Sequence, residues 1–315
     1  SLGAFFNNTA DKPWDDNAAD SAPVLRLPEA DKQAAFDAAV ARRSEAQAAY
    51  QKRRAGALPR FKEWLASGRK PSPVSSDALE LRLRLDEGNG EVVRNSAPGA
   101  GVASWKADTN PLVWGESIWY WPTMRMDIAS NLPMPGLGDY EWNQGFSASM
   151  WVKLRMKTGN ATTGNGALVS RMGDASKDGH RGWDLFIDGD KLAVHLIHHW
   201  PDRAVRADTG GIPRGEWVHV GFTYDGSGKG EGVTLYVNGQ PRKPNLHTNT
   251  LQPGDTIRNA LPLHLGQRVD HDRMREAAFL DVRLYRRKLD EAEFARLPSE
   301  DLTAELLARS PDPEK

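Results

Sequence analysis

The stretch Arg181-Gly-Trp-Asp-Leu-Phe-Ile-Asp-Gly-Asp-Lys-Leu-Ala-Val-His-Leu-Ile-His-His-Trp200 decides the fold of this 315-residue chain. Its apolar and polar residues alternate on both sides of a central Asp188-Gly-Asp190. Alternation with a period of two is typical of a β-strand that buries one face, and a short Gly- and Asp-containing link between two such segments is typical of a tight turn. The stretch therefore predicts a β-hairpin.

Four further segments repeat this pattern. They are Phe146-Ser-Ala-Ser-Met-Trp-Val152, Glu216-Trp-Val-His-Val-Gly-Phe-Thr-Tyr-Asp225, Val233-Thr-Leu-Tyr-Val-Asn-Gly239 and Ala278-Phe-Leu-Asp-Val-Arg-Leu-Tyr285. Each segment is short, alternates, and ends in turn-forming or polar residues. A succession of short alternating strands with few helical patterns between them predicts a β-sandwich.

The overall composition argues against several classes of function. The chain has no Cys, which excludes disulfides, catalytic thiolates and zinc–cysteine sites within it. Its 41 Lys and Arg residues are balanced by 42 Asp and Glu residues, for a net charge of -1, so no positive excess favours binding to nucleic acid. No run reaches the roughly 18 apolar residues of a membrane span, and the first residues lack the order of a signal peptide.

Shifts in composition predict four regions. Residues 1–28 carry apolar residues without a period and are interpreted as an irregular tail of a preceding domain. Residues 29–76 predict a helical hairpin and a linker, because an Ala-, Glu- and Arg-rich segment of weak amphipathicity is followed by Gly56, Pro59 and a shorter helical pattern. Residues 77–297 predict the β-sandwich with a short closing helix from Asp290, and residues 298–315 a polar C-terminal tail or linker. The helical hairpin is interpreted as a spacer or packing arm, with a partner-binding helix pair as the alternative.

The order of the motifs resembles that of a known family. The motifs are Leu83-Arg-Leu-Asp-Glu-Gly-Asn-Gly90, Phe146-Ser-Ala-Ser-Met-Trp-Val152, Glu216-Trp-Val-His-Val220 with Thr223-Tyr-Asp-Gly226, Leu235-Tyr-Val-Asn-Gly239 and Leu280-Asp-Val-Arg-Leu-Tyr285. Together they resemble the laminin-G-like branch of the concanavalin A-like lectin/glucanase superfamily over residues 79–297. The resemblance implies a mainly β fold, a concanavalin A-like jelly-roll β-sandwich.

A flanking motif extends the resemblance. Ala4-Phe-Phe-Asn-Asn-Thr9 resembles the end of the domain that precedes this module in large secreted multidomain proteins of planctomycete-type bacteria, which elsewhere carry c-type cytochrome modules. This resemblance implies an extracytoplasmic fragment, periplasmic or secreted, of a larger protein. The partners that it implies are a polysaccharide or glycan and the neighbouring domains of the parent protein.

Alternation assigns the strand residues to two faces. The hairpin residues predicted on the core face are Trp183, Leu185, Ile187, Leu192, Val194 and Leu196. The other face collects rings, carboxylates and guanidinium groups, which are the groups that hold sugars by ring stacking and directed hydrogen bonds. Its predicted ligand-binding residues are Trp151, Asp184, His195, His219, Tyr236 and Arg283. The alternative is that Trp151 and Tyr236 are covered by an adjoining strand or by residues 1–70.

The exit of the hairpin adds two candidate ligand-binding residues, His198 and Trp200. Trp200 is interpreted either as a platform for a ligand or as an anchor for a neighbouring domain, because exposed rings mark contact sites. The adjacent His198 and His199 do not predict a metal site, since they point to opposite faces of a strand. His195 and His199 share a face but lie roughly 13 Å apart at the rise of a strand.

Calcium is the one cofactor that the resemblance suggests, because related sandwiches bind it at their rim through Asp side chains and loop carbonyls. The Asp residues in suitable loops are Asp174, Asp178, Asp225 and Asp272. None of them forms the dense acidic series of a self-evident site, and acidic residues in loops are commonly turn residues. The identity of a bound metal is therefore left unknown.

The enzyme motifs of the superfamily are missing. Its glucanases carry Glu, Asp and Glu at alternating positions of one strand, and no predicted strand here has them. A Ser nucleophile elbow, a phosphate loop and a His-Glu-x-x-His helix are absent as well. The sequence therefore predicts a non-catalytic carbohydrate-recognition module of a larger protein. The alternatives are an architectural insert without a ligand and a glycoside hydrolase, which would need two facing carboxylates about 5 to 10 Å apart.

Overall fold

The computed structural model describes residues 29–68, 74–101, 104–107, 112–116, 122–126, 132–155, 165–269, 271–274, 277–301 and 303. The predicted tail at residues 1–28 lies outside these ranges, as does most of the segment 298–315. The described residues form two compact units, one within residues 1–69 and the other within residues 70–312.

The first unit is a single helix, α1 (Gln33–Ala66), preceded by a 3-10 turn at Ala30–Lys32. The prediction of a helical hairpin is wrong, because the chain passes through Gly56 and Pro59 without leaving the helix. The proline removes one backbone hydrogen bond, and the glycine costs about 1 kcal/mol relative to alanine. Eleven alanines and many Arg, Lys, Glu and Gln residues, all strong helix formers, outweigh these two breaks over 34 residues. Neither this helix nor any other described helix is long and apolar enough to cross a membrane.

The second unit is built mainly from antiparallel strands. In chain order they are β1 (Leu79–Leu83), β2 (Val92–Arg94), β3 (Ser104–Lys106), β4 (Val113–Glu116), β5 (Pro122–Met126), β6 (Pro133–Met134), β7 (Phe146–Lys153), β8 (Gly166–Met172), β9 (Gly182–Asp188), β10 (Lys191–His199), β11 (Arg203–Thr209), β12 (Trp217–Tyr224), β13 (Val233–Val237), β14 (Gln240–Arg242), β15 (Asn245–Asn249), β16 (Leu263–Leu265) and β17 (Ala277–Tyr285). Two short α-helices accompany them, α2 (Ala175–Asp178) and α3 (Glu291–Arg296). A 3-10 turn lies at Gly230–Gly232 and a π-helical turn at Leu297–Asp301.

The strands form two large sheets and one small ribbon. The first sheet has the order β14-β13-β12-β7-β17-β5-β4, and β1 pairs with the second half of β17. The second sheet has the order β15-β11-β10-β9-β8-β16-β6, and β2 pairs with β3. Buried apolar residues of both large sheets belong to one continuous core cluster. The predicted mainly β, jelly-roll sandwich is confirmed.

The hairpin β9–β10 lies in the middle of the second sheet. Its turn places Gly189 at a φ of 68°, a left-handed conformation that glycine adopts without steric penalty. The predicted core face is confirmed, because all of its residues are buried: Trp183, Leu185, Ile187, Leu192, Val194 and Leu196. The Trp183 indole donates a hydrogen bond of 2.8 Å to the Gly138 carbonyl and packs 5.2 Å from the Phe146 ring. The opposite face of the hairpin therefore points away from the core.

Candidate functional site

The predicted ligand-binding residues of the second face lie on two different sheets. Trp151, His219, Tyr236 and Arg283 belong to the first sheet, whereas Asp184 and His195 belong to the second. Because the core lies between the sheets, their outward faces are on opposite sides of the sandwich. The expectation of one shared face is wrong, since alternation assigns a side chain to a face but not a strand to a sheet.

Helix α3 packs on part of the outward face of the first sheet, over β12 and β13. A capping box starts this helix: the Asp290 carboxylate accepts from the Glu293 backbone N–H at 2.7 Å, and the Glu293 carboxylate accepts from the Asp290 N–H. Phe294 of α3 is buried and stacks on the Tyr236 ring, with centroids 3.9 Å apart. Gly221 makes room for Phe294, because a Cβ there would lie 2.7 Å from the end of the ring. Tyr236 therefore faces a helix of its own unit.

Trp151 and His219 are buried beside this helix. Their rings meet edge to face at 5.5 Å, and the His219 ring also lies 5.9 Å from the Phe294 ring. Leu280 and the partly buried Trp217 complete the apolar surroundings of Trp151. Burial lowers the pKa of His219 to about 3, because the nearby Asp281 only partly opposes the effect. The imidazole is therefore neutral at physiological pH and serves as a packing ring.

Arg283 is engaged by its own chain. Its Nε donates to the Asp281 carboxylate at 3.0 Å, and Arg82 Nε donates to the other oxygen of the same carboxylate at 3.0 Å. Burial would raise the pKa of Asp281, but Arg283 and Arg82 outweigh it and hold that pKa at about 2. A buried cluster of two guanidinium groups and one carboxylate is thus part of the outward side of the first sheet.

His198 is tied to a neighbouring loop. Its Nδ1 lies 3.0 Å from the Thr256 carbonyl oxygen and 3.2 Å from the Thr256 backbone nitrogen, and its Nε2 lies 3.7 Å from the Asp255 carboxylate. Asp255 in turn accepts two hydrogen bonds from the Arg203 guanidinium, at 3.1 and 2.7 Å. The structure therefore separates His198 from His195, although both lie on β10.

Asp184 and His195 form a buried polar pair on the outward face of the second sheet. They are directly opposite each other on β9 and β10, and His195 Nδ1 lies 2.7 Å from the Asp184 carboxylate. Arg268 binds the other carboxylate oxygen through Nε and Nη2, at 2.8 and 2.7 Å. Burial would raise the pKa of Asp184, but Arg268 and His195 together lower it below its ordinary value. Asp184 is therefore a fixed anion that orients both partners.

Aromatic rings surround this polar pair. The His195 ring meets Phe186 edge to face at 5.9 Å and Trp200 edge to face at 6.1 Å. The Arg268 guanidinium carbon lies 4.8 Å above the Phe186 ring, which is cation–π geometry. Trp200 packs on an apolar cluster of Met172, Ile197 and Ala204 but stays partly exposed. A partly exposed indole thus borders a rigid, hydrogen-bonded imidazole.

These residues line a pocket of about 340 Å³, which we call the outer-face pocket. Its lining residues are Asn165, His180, Phe186, Asp188, His195, Ile197, Trp200, Arg206, Arg268 and Asp272. Two of the predicted ligand-binding residues, His195 and Trp200, lie in its wall, and Asp184 supports His195 from beneath. Arg268 and Arg206 are pocket residues that the sequence patterns do not predict. Arg268 comes from a loop 84 residues after Asp184 and has no periodic pattern that could have placed it there.

The charged groups in and beneath the pocket bind one another, and Arg268 binds two carboxylates, those of Asp184 and Asp272. Arg206 Nη2 donates to Asp188 at 2.9 Å, and Arg268 Nη1 donates to Asp272 at 2.8 Å. Each of these carboxylates therefore already binds a guanidinium group. Arg–carboxylate pairs of this kind offer both donors and acceptors to a ligand. The pocket suits a polar, uncharged ligand with many hydroxyl groups.

The chemistry of the pocket differs from that of a serine hydrolase. Ser170, Asp184, His195 and Arg206 occupy one row across β8, β9, β10 and β11. The carboxylate lies between the serine and the histidine, whereas nucleophilic catalysis needs the histidine in the middle. The row can orient His195, but it does not build an activated serine.

Two of the four predicted calcium residues, Asp225 and Asp272, have other partners in the structure. The Asp225 carboxylate accepts from the Ser227 backbone N–H at 2.9 Å, which is a turn contact, and Asp272 binds Arg268. Within the described ranges, no three His, Asp or Glu side chains lie close enough to hold a metal ion. The part of the chain that the structure describes therefore gives no geometry for a metal in the pocket.

A second pocket of about 340 Å³ lies elsewhere on the sandwich unit. Small residues such as Gly99, Gly101 and Gly136 form much of its wall, and its charged residues Glu80 and Arg286 bind each other. None of its described lining residues is aromatic. Since ring stacking is a main way of holding a sugar, the outer-face pocket is the better candidate site.

Comparison with known proteins identifies the fold of this region. A family model, Laminin_G_3, described as the concanavalin A-like lectin/glucanases superfamily, matches residues 128–295. No curated protein matches the sequence. Among solved structures, the binding domain of Paraclostridial Mosquitocidal Protein 1 is similar with a TM-score of 0.55 and 15% identity, covering 70% of this chain and 52% of that chain.

Two botulinum neurotoxin structures are also similar. The binding domain of serotype G has a TM-score of 0.51 and 16% identity, covering 69% of this chain and 50% of that chain. The binding domain of serotype C1 has a TM-score of 0.51 and 12% identity, covering 71% and 52%. The chain thus spans about half the length of each of these solved structures, and at such identities the likeness shows the fold alone.

Proposed function

Because this chain belongs to the concanavalin A-like lectin/glucanases superfamily, we propose that it is a non-catalytic carbohydrate-recognition module. The glycan binds in the outer-face pocket. The observation that carries this proposal is the partly exposed Trp200 indole beside His195, whose orientation is fixed from beneath by Asp184. An aromatic platform next to directed polar groups is the arrangement that recognises a sugar ring.

Different residues of the pocket make different contacts with a bound sugar. The Trp200 ring stacks on the apolar face of a pyranose, as aromatic rings do in sugar sites. Asp184 accepts from His195 Nδ1–H, which leaves His195 Nε2 to hydrogen-bond with a sugar hydroxyl. The Arg206–Asp188 pair at the margin donates to and accepts from neighbouring hydroxyls.

The absence of catalysis is part of this proposal, and the charges of the pocket support it. A glycosidase needs one carboxylic acid that is protonated near neutral pH and a second, facing carboxylate. Asp184 has a lowered pKa, and Asp188 and Asp272 each bind an arginine. A carboxylate with a lowered pKa, such as Asp184, is a poor proton donor. Release of reducing ends from a bound polysaccharide by this chain would contradict the proposal.

The setting of the module is proposed with it. Solved relatives of the same fold are binding domains of toxins, and we transfer from them only the general role of binding. The location outside the cytoplasm, and a larger parent protein of the planctomycete type whose neighbouring domains are partners, are supported by the sequence resemblance described above. The glycan itself is proposed as a neutral polysaccharide, because the pocket charges are already paired.

Replacing Trp200 with alanine is expected to weaken glycan binding about tenfold or more, because a stacked tryptophan at the centre of a site contributes at least about 1.4 kcal/mol. The measurement is affinity gel electrophoresis or calorimetry with the best ligand from a broad panel of neutral and anionic polysaccharides. Trp217→Ala is the matched control, since Trp217 is also partly buried but lies on the first sheet. Equal losses in both variants, or no loss in Trp200→Ala, would refute the proposed site.

The alternative function is an architectural module that joins copies or domains of larger proteins without a ligand. One observation favours it: α1 has no buried residue, and large apolar side chains such as Phe36 and Tyr50 are exposed on it. Failure of the wild-type chain to bind any glycan of the panel would favour this alternative over carbohydrate recognition.

A further inference from the structure

Helix α1 carries six of its large apolar side chains along one narrow stripe. They are Phe36, Val40, Tyr50, Leu58, Phe61 and Leu65. At about 100° per residue all six project within an arc of about 80°, together with Arg43, Gln47 and Arg54. We call positions 36, 40, 43, 47, 50, 54, 58, 61 and 65 the seam. Much of the seam is accessible, since 49% of Phe36 and 60% of Tyr50 remain exposed.

A helix of this length and composition needs a partner along such a stripe. It has 34 residues, so it is about 51 Å long, and none of its residues is buried. Most of the stability of a helix in a protein comes from burial of its apolar face. A stripe that recurs every three or four residues and is this narrow is typical of the contact line of a coiled coil rather than of a helix lying on a sheet.

The seam has the same spacing in both directions. From position 36 to position 47, successive seam residues are 4, 3 and 4 residues apart. Positions 47 and 54 are 7 residues apart, with Tyr50 between them. From position 54 to position 65 the spacings are again 4, 3 and 4. In an antiparallel pair of identical helices, seam positions therefore meet in four combinations: 36 with 65, 40 with 61, 43 with 58, and 47 with 54. The apolar pairs are Phe36 with Leu65 and Val40 with Phe61. A two-fold axis passes beside Tyr50.

The polar residues of the seam fit this register. The Arg43 stem lies along Leu58 and keeps its charge at the margin, as long basic side chains do on apolar surfaces. Gln47 meets Arg54, and the Gln47 amide oxygen can accept from the guanidinium group. The polar positions thus lie on either side of the two-fold axis, and the apolar pairs lie toward the two ends.

The charges of α1 also favour the antiparallel direction. Residues 29–37 contain three acidic side chains and one basic one, whereas residues 52–62 contain five basic side chains and no acidic one. In a parallel pair each of these segments lies beside its own copy, so like charges meet. In the antiparallel register, positions 52–62 face positions 39–49, which contain two basic side chains and one acidic one. The antiparallel direction therefore separates the strongest like charges.

We propose that α1 joins two copies of this chain through an antiparallel two-helix coiled coil along the seam. The contact is isologous, because the same surface of each copy meets itself across the two-fold axis. The C-terminal ends of the two helices, from which each chain continues to its sandwich unit, then lie at opposite ends of the pair. This contact between two copies requires no glycan ligand.

The first test is the mass of the full chain in solution. The wild-type chain is expected to have twice the mass of one chain in analytical ultracentrifugation at micromolar concentration. Val40→Glu and Phe61→Glu each place a charge in the seam and are expected to shift the mass to that of one chain. Ala38→Glu, about 160° around the helix from Phe36, is the matched control and should stay dimeric. A monomeric wild-type chain would overturn the proposal.

The second test determines whether the two helices run parallel or antiparallel. The chain has no native Cys, so only the introduced cysteines can form a disulfide. Tyr50→Cys is expected to form a covalent dimer on mild oxidation, because position 50 lies beside its counterpart at the two-fold axis. Phe36→Cys alone should not form a covalent dimer. Position 36 of one helix faces position 65 of the other, and these two positions are about 44 Å apart along one helix, so the two copies of position 36 lie at opposite ends of the pair. A mixture of Phe36→Cys and Leu65→Cys chains should cross-link. Efficient cross-linking of Phe36→Cys with itself would show a parallel pair and refute the antiparallel one.

Discussion

Asp184→Asn is expected to lower the free energy of unfolding by about 3 to 5 kcal/mol, the range for removing one partner of a buried ion pair. The Asp184 side chain is fully buried and binds His195 at 2.7 Å and Arg268 at 2.7 and 2.8 Å. Asparagine has the same shape but no charge, and its amide nitrogen faces a donor instead of accepting from it. Arg268 would keep its charge in a buried place and lose the carboxylate that binds it there, with the half-exposed Asp272 left as its acidic partner.

The measurement is equilibrium unfolding in urea, with Asp188→Asn as the matched control. Asp188 lies further along β9 and binds Arg206 at 2.9 Å, but 44% of its side chain is exposed. An exposed pair of this kind contributes about 1 kcal/mol or less. A double-mutant cycle with Arg268→Met should show coupling, since the second substitution removes the charge that the first leaves unpaired. Equal effects of Asp184→Asn and Asp188→Asn would show that the buried charge is not what stabilises the hairpin.

Local patterns were sufficient for the hairpin β9–β10 and its inward face. Trp183, Leu185 and Val194 alternate with polar residues, and the turn at Gly189 is marked by its own sequence. These features depend on neighbours within a few residues, so they can be read without knowing the rest of the fold. The same is true of the capping box at Asp290 and Glu293, which starts the closing helix where the acidic residues predict it.

The candidate site depends on contacts that no local pattern encodes. Alternation places Trp151 and His195 equally well on a non-core face, but the pairing of β7 with β12 and of β9 with β10 sends them to different sheets. In the sequence, Phe294 is one apolar residue in a short helix. Only the structure shows that its ring packs on the first sheet at Gly221, where the absence of a side chain leaves room for it. Arg268 is missed for the same reason, since its partner Asp184 is 84 residues away.

In helix α1, by contrast, local signals predict a break that the structure does not have. Gly56 and Pro59 are strong local signals for a break, and the helix continues through both. Propensity summed over the whole segment outweighs two unfavourable residues. The average amphipathicity of α1 does not reveal the seam, because the polar residues Arg43, Gln47 and Arg54 lie within the stripe and alanines lie all around the helix. Position-by-position spacing, rather than average polarity, indicates the contact line.

Acidification below pH 6.5 is expected to destabilise the sandwich through His219. The pKa of this histidine is about 3 in the folded protein, against 6.5 as its ordinary value, because burial beside Trp151 and Phe294 disfavours the charged ring. Between these two values the unfolded chain binds a proton that the folded chain excludes. The stabilising effect of keeping His219 neutral is therefore fully present above pH 6.5. Below that pH, the free energy of unfolding falls by up to about 1.4 kcal/mol per pH unit as the pH decreases toward 3.

Urea unfolding at pH 7 and pH 4.5 measures this effect, with His219→Gln as the test variant. The wild-type chain should lose about 3 kcal/mol over this interval through His219, and the variant should lose that much less because glutamine does not titrate. The Asp281 carboxylate next to Arg283 does not confuse the result, because its pKa is about 2 when folded and 3.8 ordinarily, so its contribution is lost only below this interval. His199→Gln, at a site where 57% of the side chain is exposed, is the matched control for the substitution. An unchanged pH dependence in His219→Gln would mean that the folded protein protonates His219 as readily as the unfolded chain does, and that Trp151 and Phe294 do not shield this ring from water.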